Sequence, residues 1–146
     1  MKAQTTNATR PPPVIEKPAD PYQAELIQYY SEAGPDYAAW SREYNMHFGY
    51  YRWGMNPLRL EPMLARMNTE VLERLGFERQ APIRLLDAGC GLGATARQAA
   101  RHFPEGEITG VSLVPWQLRQ ARRLTDSKRV RFIEGDYNQT RLAPES

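Results

Sequence analysis

The sequence predicts an α/β fold built on a parallel sheet, and three observations predict it. Beyond Pro82, apolar runs of strand length alternate with helical stretches, the pattern of parallel strands joined by crossover helices. The first of those runs passes into a glycine-rich turn, Gly89-Cys90-Gly91-Leu92-Gly93. Ahead of the sheet lies an amphipathic stretch of helical period at 61–75.

Taken in order, residues 1–21 are polar and proline-rich, with Pro11-Pro12-Pro13 and no hydrophobic period, and read as a mobile tail. The tail has no apolar run of signal-peptide length. A short helix is expected over Tyr22 to Tyr30, with Asp20 as cap, Pro21 in the favoured first position and Gly34-Pro35 as terminator. The aromatic-dense stretch Tyr37 to Gly54 is too sticky for a linker and is expected to cover something. From Glu61 to Leu75, residues Leu64, Met67, Val71, Leu72 and Leu75 share one helical face, and Gly76 stops the helix. Strands then follow at Ile83–Ala88, Glu107–Leu113 and Val130–Glu134, with helices at Gly93–His102 and Pro115–Leu124 between them. The organisation is a tail over 1–21, a helical and aromatic cap over 22–80, and a sheet segment over 81–146.

Composition narrows the function classes. At 146 residues, 25% charged and 41% hydrophobic, the chain suits one soluble domain with one modest core. A net charge of +2, from 19 Lys and Arg against 17 Asp and Glu, does not call for nucleic acid as partner. Arg119, Arg122, Arg123, Lys128, Arg129 and Arg131 read as a solvated face, because no aromatics interleave them as a stacking platform. The single cysteine, Cys90, excludes an internal disulfide and a thiolate zinc cage, and suits a reducing cytoplasm. No metal site is expected. Nothing approaches the roughly 18 to 20 continuous apolar residues of a membrane helix.

The turn carries the chemistry. Gly89 and Gly91 permit backbone angles and a close ligand approach that a side chain would block, and Gly93 lets the following helix pack tightly. Dinucleotide enzymes set a pyrophosphate on such a helix and use Gly-x-Gly-x-x-Gly. Here the spacing is Gly-x-Gly-x-Gly, with Asp87 two residues ahead. A carboxylate there repels a pyrophosphate and attracts the ammonium of a methionine moiety, which favours S-adenosylmethionine. The second strand ends in Ser112 and Leu113 with Gln117 soon after, where a ribose is usually met by an acid; a neutral hydroxyl and amide replace it. The third ends in Glu134-Gly135-Asp136-Tyr137, and Asp136 is placed to accept from an adenine amine. Three strand ends thus offer polar groups along the edge where ligands of parallel sheets collect.

On these residues, Tyr29 to Tyr137 resembles the class I S-adenosylmethionine-dependent methyltransferases of small molecules, near the cyclopropane-fatty-acid synthases, sterol methyltransferases and tocopherol methyltransferases. Leu86-Asp87-Ala88-Gly89-Cys90-Gly91-Leu92-Gly93 matches the first motif, and Gly110 to Gln117 resembles that subgroup's ribose segment. Met46-His47-Phe48-Gly49-Tyr50-Tyr51 resembles the cap that closes over the methionine end of the cofactor. The resemblance implies a Rossmann-like sheet, S-adenosylmethionine as cofactor, and contacts from Asp87, Gly89, Cys90, Gly91, Gly93, Ser112, Leu113, Gln117, Asp136 and Tyr137. It also implies methyl transfer to a small, lipophilic acceptor, with His47, Tyr50 and Tyr51 as weak catalytic candidates. Cys90 is read as a loop residue, not a nucleophile.

The family's sheet runs 3-2-1-4-5-7-6, and Gln139 to Ser146 resembles the approach to the fourth strand. The expectation is therefore the front half of the enzyme, cut before that strand, or one half of a split enzyme, or a decayed remnant. Its first strand should present an open apolar edge, suited to a protein partner or to self-association. The rival reading is a non-catalytic scaffold subunit that completes or regulates a partner chain.

Overall fold

The computed structural model describes residues 20–140 and Leu142. All of the expected tail except Asp20 and Pro21 falls outside them. Helix α1 (Pro21–Glu32) begins as its sequence dictates: the Asp20 carboxylate accepts from Tyr22 N at 2.9 Å, and Pro21 occupies the first turn. Gly34-Pro35 does more than end it. After Ala33 a second helix, α2 (Gly34–Trp40), starts on that pair, because proline fits a first turn as readily as it stops a preceding one.

Helix α3 (Leu60–Glu73) ends before Gly76, which holds a φ of 74°. Its buried stripe differs from expectation. Leu64, Asn68 and Leu72 are buried, whereas Val71 and Leu75 are 51% and 44% exposed. A polar residue sits mid-stripe and turns the buried face away from the purely apolar one.

The sheet holds β1 (Arg84–Ala88), β2 (Glu107–Ser112) and β3 (Val130–Glu134), all parallel, in the order β1-β2-β3. That is the expected 3-2-1 arrangement. In register, Leu85, Ile108 and Val130 share one face, and Leu86, Thr109 and Arg131 the other. Helices α4 (Ala94–His102) and α5 (Pro115–Arg123) pack on the sheet. The core joins Ala96, Ala99, Phe103, Ile108, Leu118 and Phe132, with Leu85 partly buried against it. Gly93 caps α4 at a φ of 76°, and a Cβ there would lie 2.6 Å from Phe132. Only glycine serves both conditions.

Much of the basic cluster proves structural. Arg129 donates to the carbonyls of Ala100, Phe103 and Gly106 at 2.9, 3.0 and 3.0 Å, closing the end of α4. Arg122 donates to Phe132 O at 2.8 Å, and Arg131 to Thr109 Oγ1 at 2.8 Å. These guanidiniums fasten helices and strands together.

The aromatic stretch covers the sheet end with only some of its rings. Phe48 is 82% and Trp53 96% exposed, while Ser41 and Asn45 are buried. Tyr37, Tyr44, Met46 and His47 of this stretch line the hollow at the sheet end.

Candidate functional site

Local backbone rules build the site at the carboxyl ends of the strands. Leaving β1, the amides of Gly89 and Cys90 donate to Val111 O at 2.9 and 2.8 Å, which fastens the turn to β2. Gly89 holds a φ of 79° and has open space where a Cβ would stand, so its bare backbone faces the hollow. The Met46 sulfur packs over Gly91 from the cap. Together these elements enclose a cavity of about 580 Å³.

One carboxylate oxygen defines that cavity. Asp87 Oδ2 is buried with no hydrogen-bond partner, the only side-chain polar atom in that condition among the described residues. Burial pushes the Asp87 carboxyl up to about 6, against the pull of the Ala96 amide and of His47. A buried acceptor without a donor is costly. A cation entering the hollow relieves it.

His47 lies beside Asp87 and is held at both nitrogens. Nδ1 is 2.9 Å from the Phe48 carbonyl oxygen and Nε2 2.9 Å from Asn68 Oδ1. Asn68 Oδ1 also accepts from Thr95 Oγ1 at 3.0 Å, and Asn68 Nδ2 donates to Asn45 Oδ1 at 2.8 Å. The polar residue in the α3 stripe is therefore the hub that aims His47. With both nitrogens engaged, the ring is fixed in place beside Asp87.

At the second strand end, Ser112 is spent internally. Its Oγ donates to Gln117 Oε1 at 3.1 Å and accepts from Val114 N at 3.2 Å. Gln117 Nε2 has only the Met46 thioether, at 3.8 Å, and stays a donor in reserve. At the third, Asp136 Oδ1 accepts from Asn138 N and Nδ2 at 2.8 and 2.9 Å, while Oδ2 accepts from Gln23 Nε2 at 3.0 Å.

The cavity wall brings together Asp87, Gly89, Cys90, Gly91, Ser112, Leu113, Gln117, Asp136, Tyr137 and His47 from the sequence-based set. Gly93, Tyr50 and Tyr51 are not on it. Gly93 sits behind, against Phe132, and Tyr50 N instead binds Met63 O at 2.8 Å on α3. The Cys90 thiol is pushed up to about 12 by burial and by Asp87, so it stays protonated and is no nucleophile. Sequence reasoning missed Gln23, Tyr30, Tyr37, Tyr44 and Thr95 as site residues, all on the wall, and placed Met46 there only through the cap motif. Tyr44 alone carried a latent signal, as the one described non-glycine residue with positive φ, 62°, which no residue pattern reveals.

The residue types fit an amino-acid-bearing nucleoside: an unpartnered acid, a glycine face, a reserve amide donor and a second acid in a row. Residues 85–146 match the family described as a methyltransferase domain. The chain is 37% identical over 78 residues to an S-adenosyl-L-methionine-dependent Diels-Alderase of Talaromyces variabilis, covering 53% of this chain and 25% of that protein. It is 26% identical over 129 residues to a sterol 24-C-methyltransferase of Gibberella zeae, covering 85% of this chain and 32% of that one. A cyclopropane synthase structure from Mycobacterium tuberculosis shares the fold over 84% of this chain and 43% of its own, with a TM-score of 0.70 at 20% identity. This chain spans less than half the length of each of these proteins.

Proposed function

We propose that the chain is part of a class I S-adenosylmethionine-dependent methyltransferase and cradles S-adenosylmethionine for methyl transfer to a small, lipophilic metabolite, a reading supported by the methyltransferase-domain match over residues 85–146. One observation carries the reading: the buried, unpartnered Asp87 Oδ2 inside a glycine-walled hollow. Asp87 receives the ammonium of the methionine moiety, and the same charge turns away a pyrophosphate. Gln117 Nε2 is the donor free for a ribose hydroxyl, since Ser112 serves to orient that amide. Asp136 receives the adenine amine.

Bound there, the cofactor supplies a methyl group on a sulfonium, open to in-line displacement by a nucleophile. The chain's own residues position and shield. Tyr30, Tyr37 and Tyr44 present electron-rich rings along the wall, which suit a cation, and with Leu26 they suit an apolar acceptor. His47 fixes the methionine end through its two anchored nitrogens. The exposed edge of β1 is proposed as a surface for association with a second polypeptide or a second copy.

A second use of the cradle, holding the cofactor without consuming it, draws support from the Cys90 thiol, which burial keeps protonated. The Talaromyces relative's name, Diels-Alderase, points the same way.

Calorimetric titration with S-adenosylhomocysteine tests the cradle. Micromolar binding is expected, lost in Asp87→Ala and Asp136→Ala. A folded, monodisperse sample that gives no heat of binding overturns the reading. Incorporation of labelled methyl into an acceptor separates transfer from mere retention.

A further inference from the structure

Helix α1 is lightly seated. It buries no residue and packs chiefly on α2, yet Tyr22, Gln23, Leu26 and Tyr30 form one wall of the cavity. Among the described residues its only side-chain hydrogen bond to the sheet end is Gln23 Nε2 to Asp136 Oδ2, 3.0 Å long and bridging 113 positions of sequence. The other oxygen of Asp136 is occupied by Asn138, so Oδ2 is the one Gln23 controls.

A carboxamide NH2 and an adenine exocyclic amine are donors of the same kind: a planar nitrogen with two hydrogens and no acceptor role. We propose that Gln23 is a gating and selectivity residue for the nucleoside, holding on Asp136 the bond that the adenine amine takes, and yielding it when the nucleoside enters. The proposal rests on the cofactor reading above. The exchange replaces one donor by its like, so Asp136 is never left with a bare, half-buried oxygen. A base that presents a carbonyl in place of the amine sets acceptor against carboxylate and cannot displace Gln23. Release of Gln23 also removes the only side-chain hydrogen bond from α1 to the strand ends among the described residues, so entry and loosening of the α1 start occur together.

The test uses the full chain and two probes, S-adenosylhomocysteine and its inosine counterpart, with Gln23→Ala and Gln23→Glu. Without the competing amide, both variants bind the adenosyl probe tighter by the net worth of one hydrogen bond, about two- to tenfold. In an Asp136→Asn background the Gln23 substitutions no longer change affinity. Limited proteolysis gives a readout independent of affinity: cleavage within 21–32 is faster in the free variants than in the free wild type, and the adenosyl probe brings the wild type to the same rate. Wild-type binding with unchanged or weakened affinity in both folded variants overturns the gate and leaves the cradle standing. Failure of every variant, wild type included, to bind the adenosyl probe overturns the cradle and the gate together.

Discussion

At the scale of single residues, Asp87 couples function to instability. Its carboxyl is raised from an ordinary 3.8 to about 6, mainly by burial. The sign follows from proton binding: between those values the folded state holds a proton that the unfolded state releases. Below pH about 4 both states are neutral at this group and it costs nothing. As pH rises through about 6 the folded carboxylate ionises with its buried Oδ2 unpartnered, and the full cost, about 3 kcal/mol, is present. Asp87→Asn should therefore raise the denaturant midpoint at pH 8, leave it unchanged near pH 4, and abolish binding of S-adenosylhomocysteine at pH 8. A midpoint that falls at pH 8 contradicts this. In the wild type, affinity for that ligand should rise as pH climbs through about 6, since the ionised form is the one that attracts an ammonium. Asp87 was legible in the sequence because its distance from the glycines carries the charge argument. His47 was only half legible: the cap motif includes it, but the engagement of its Nε2 depends on Asn68, 21 residues away, and long-range hydrogen bonds leave no trace in spacing.

At the scale of elements, every predicted strand and helix formed, and β3 kept its expected bounds, because each has the period and flanking breakers that local physics reads. The misses share one cause, tertiary demand on a local pattern. The α3 periodicity pointed to an apolar stripe, but the cavity needed Asn68, and the buried face rotated to include it. The aromatics of 37–54 looked like cover throughout, yet only Tyr37 and Tyr44 line the hollow, with Met46, while Phe48 and Trp53 are exposed. Arg129 reads as surface charge in sequence and as a helix terminator in the structure, satisfying three carbonyls at once. Its removal leaves carbonyls of Ala100, Phe103 and Gly106 without their donor. Arg129→Ala should cost about 2 to 3 kcal/mol of unfolding free energy, whereas Arg119→Ala, on the same expected basic face, should change it by less than about 0.5. Denaturant melts of the two variants decide; equal effects would mean the Arg129 bonds contribute nothing beyond surface charge.

At the scale of the whole molecule, the sheet is asymmetric. Helices α4 and α5 cover the face carrying Leu85, Ile108 and Phe132, while Leu86 on the opposite face is 42% exposed. Strand β1 stands at the end of the order β1-β2-β3, so among the described residues no strand pairs with its outer side. Which leucine of β1 stays exposed required the register, since a shift by one residue exchanges Leu85 and Leu86. An exposed leucine on an unpaired strand favours pairing with another chain, and a charge there opposes it. Leu86→Lys should shift a concentration series in analytical ultracentrifugation toward the monomer. Because Leu86 points away from the face that bears Asp87, titration with S-adenosylhomocysteine should give an unchanged affinity. If the wild type is monomeric across the whole series, the edge is not used between copies of this chain. If Leu86→Lys weakens ligand binding while the protein stays folded, then the open face communicates with the cradle and the two faces of β1 do not act independently.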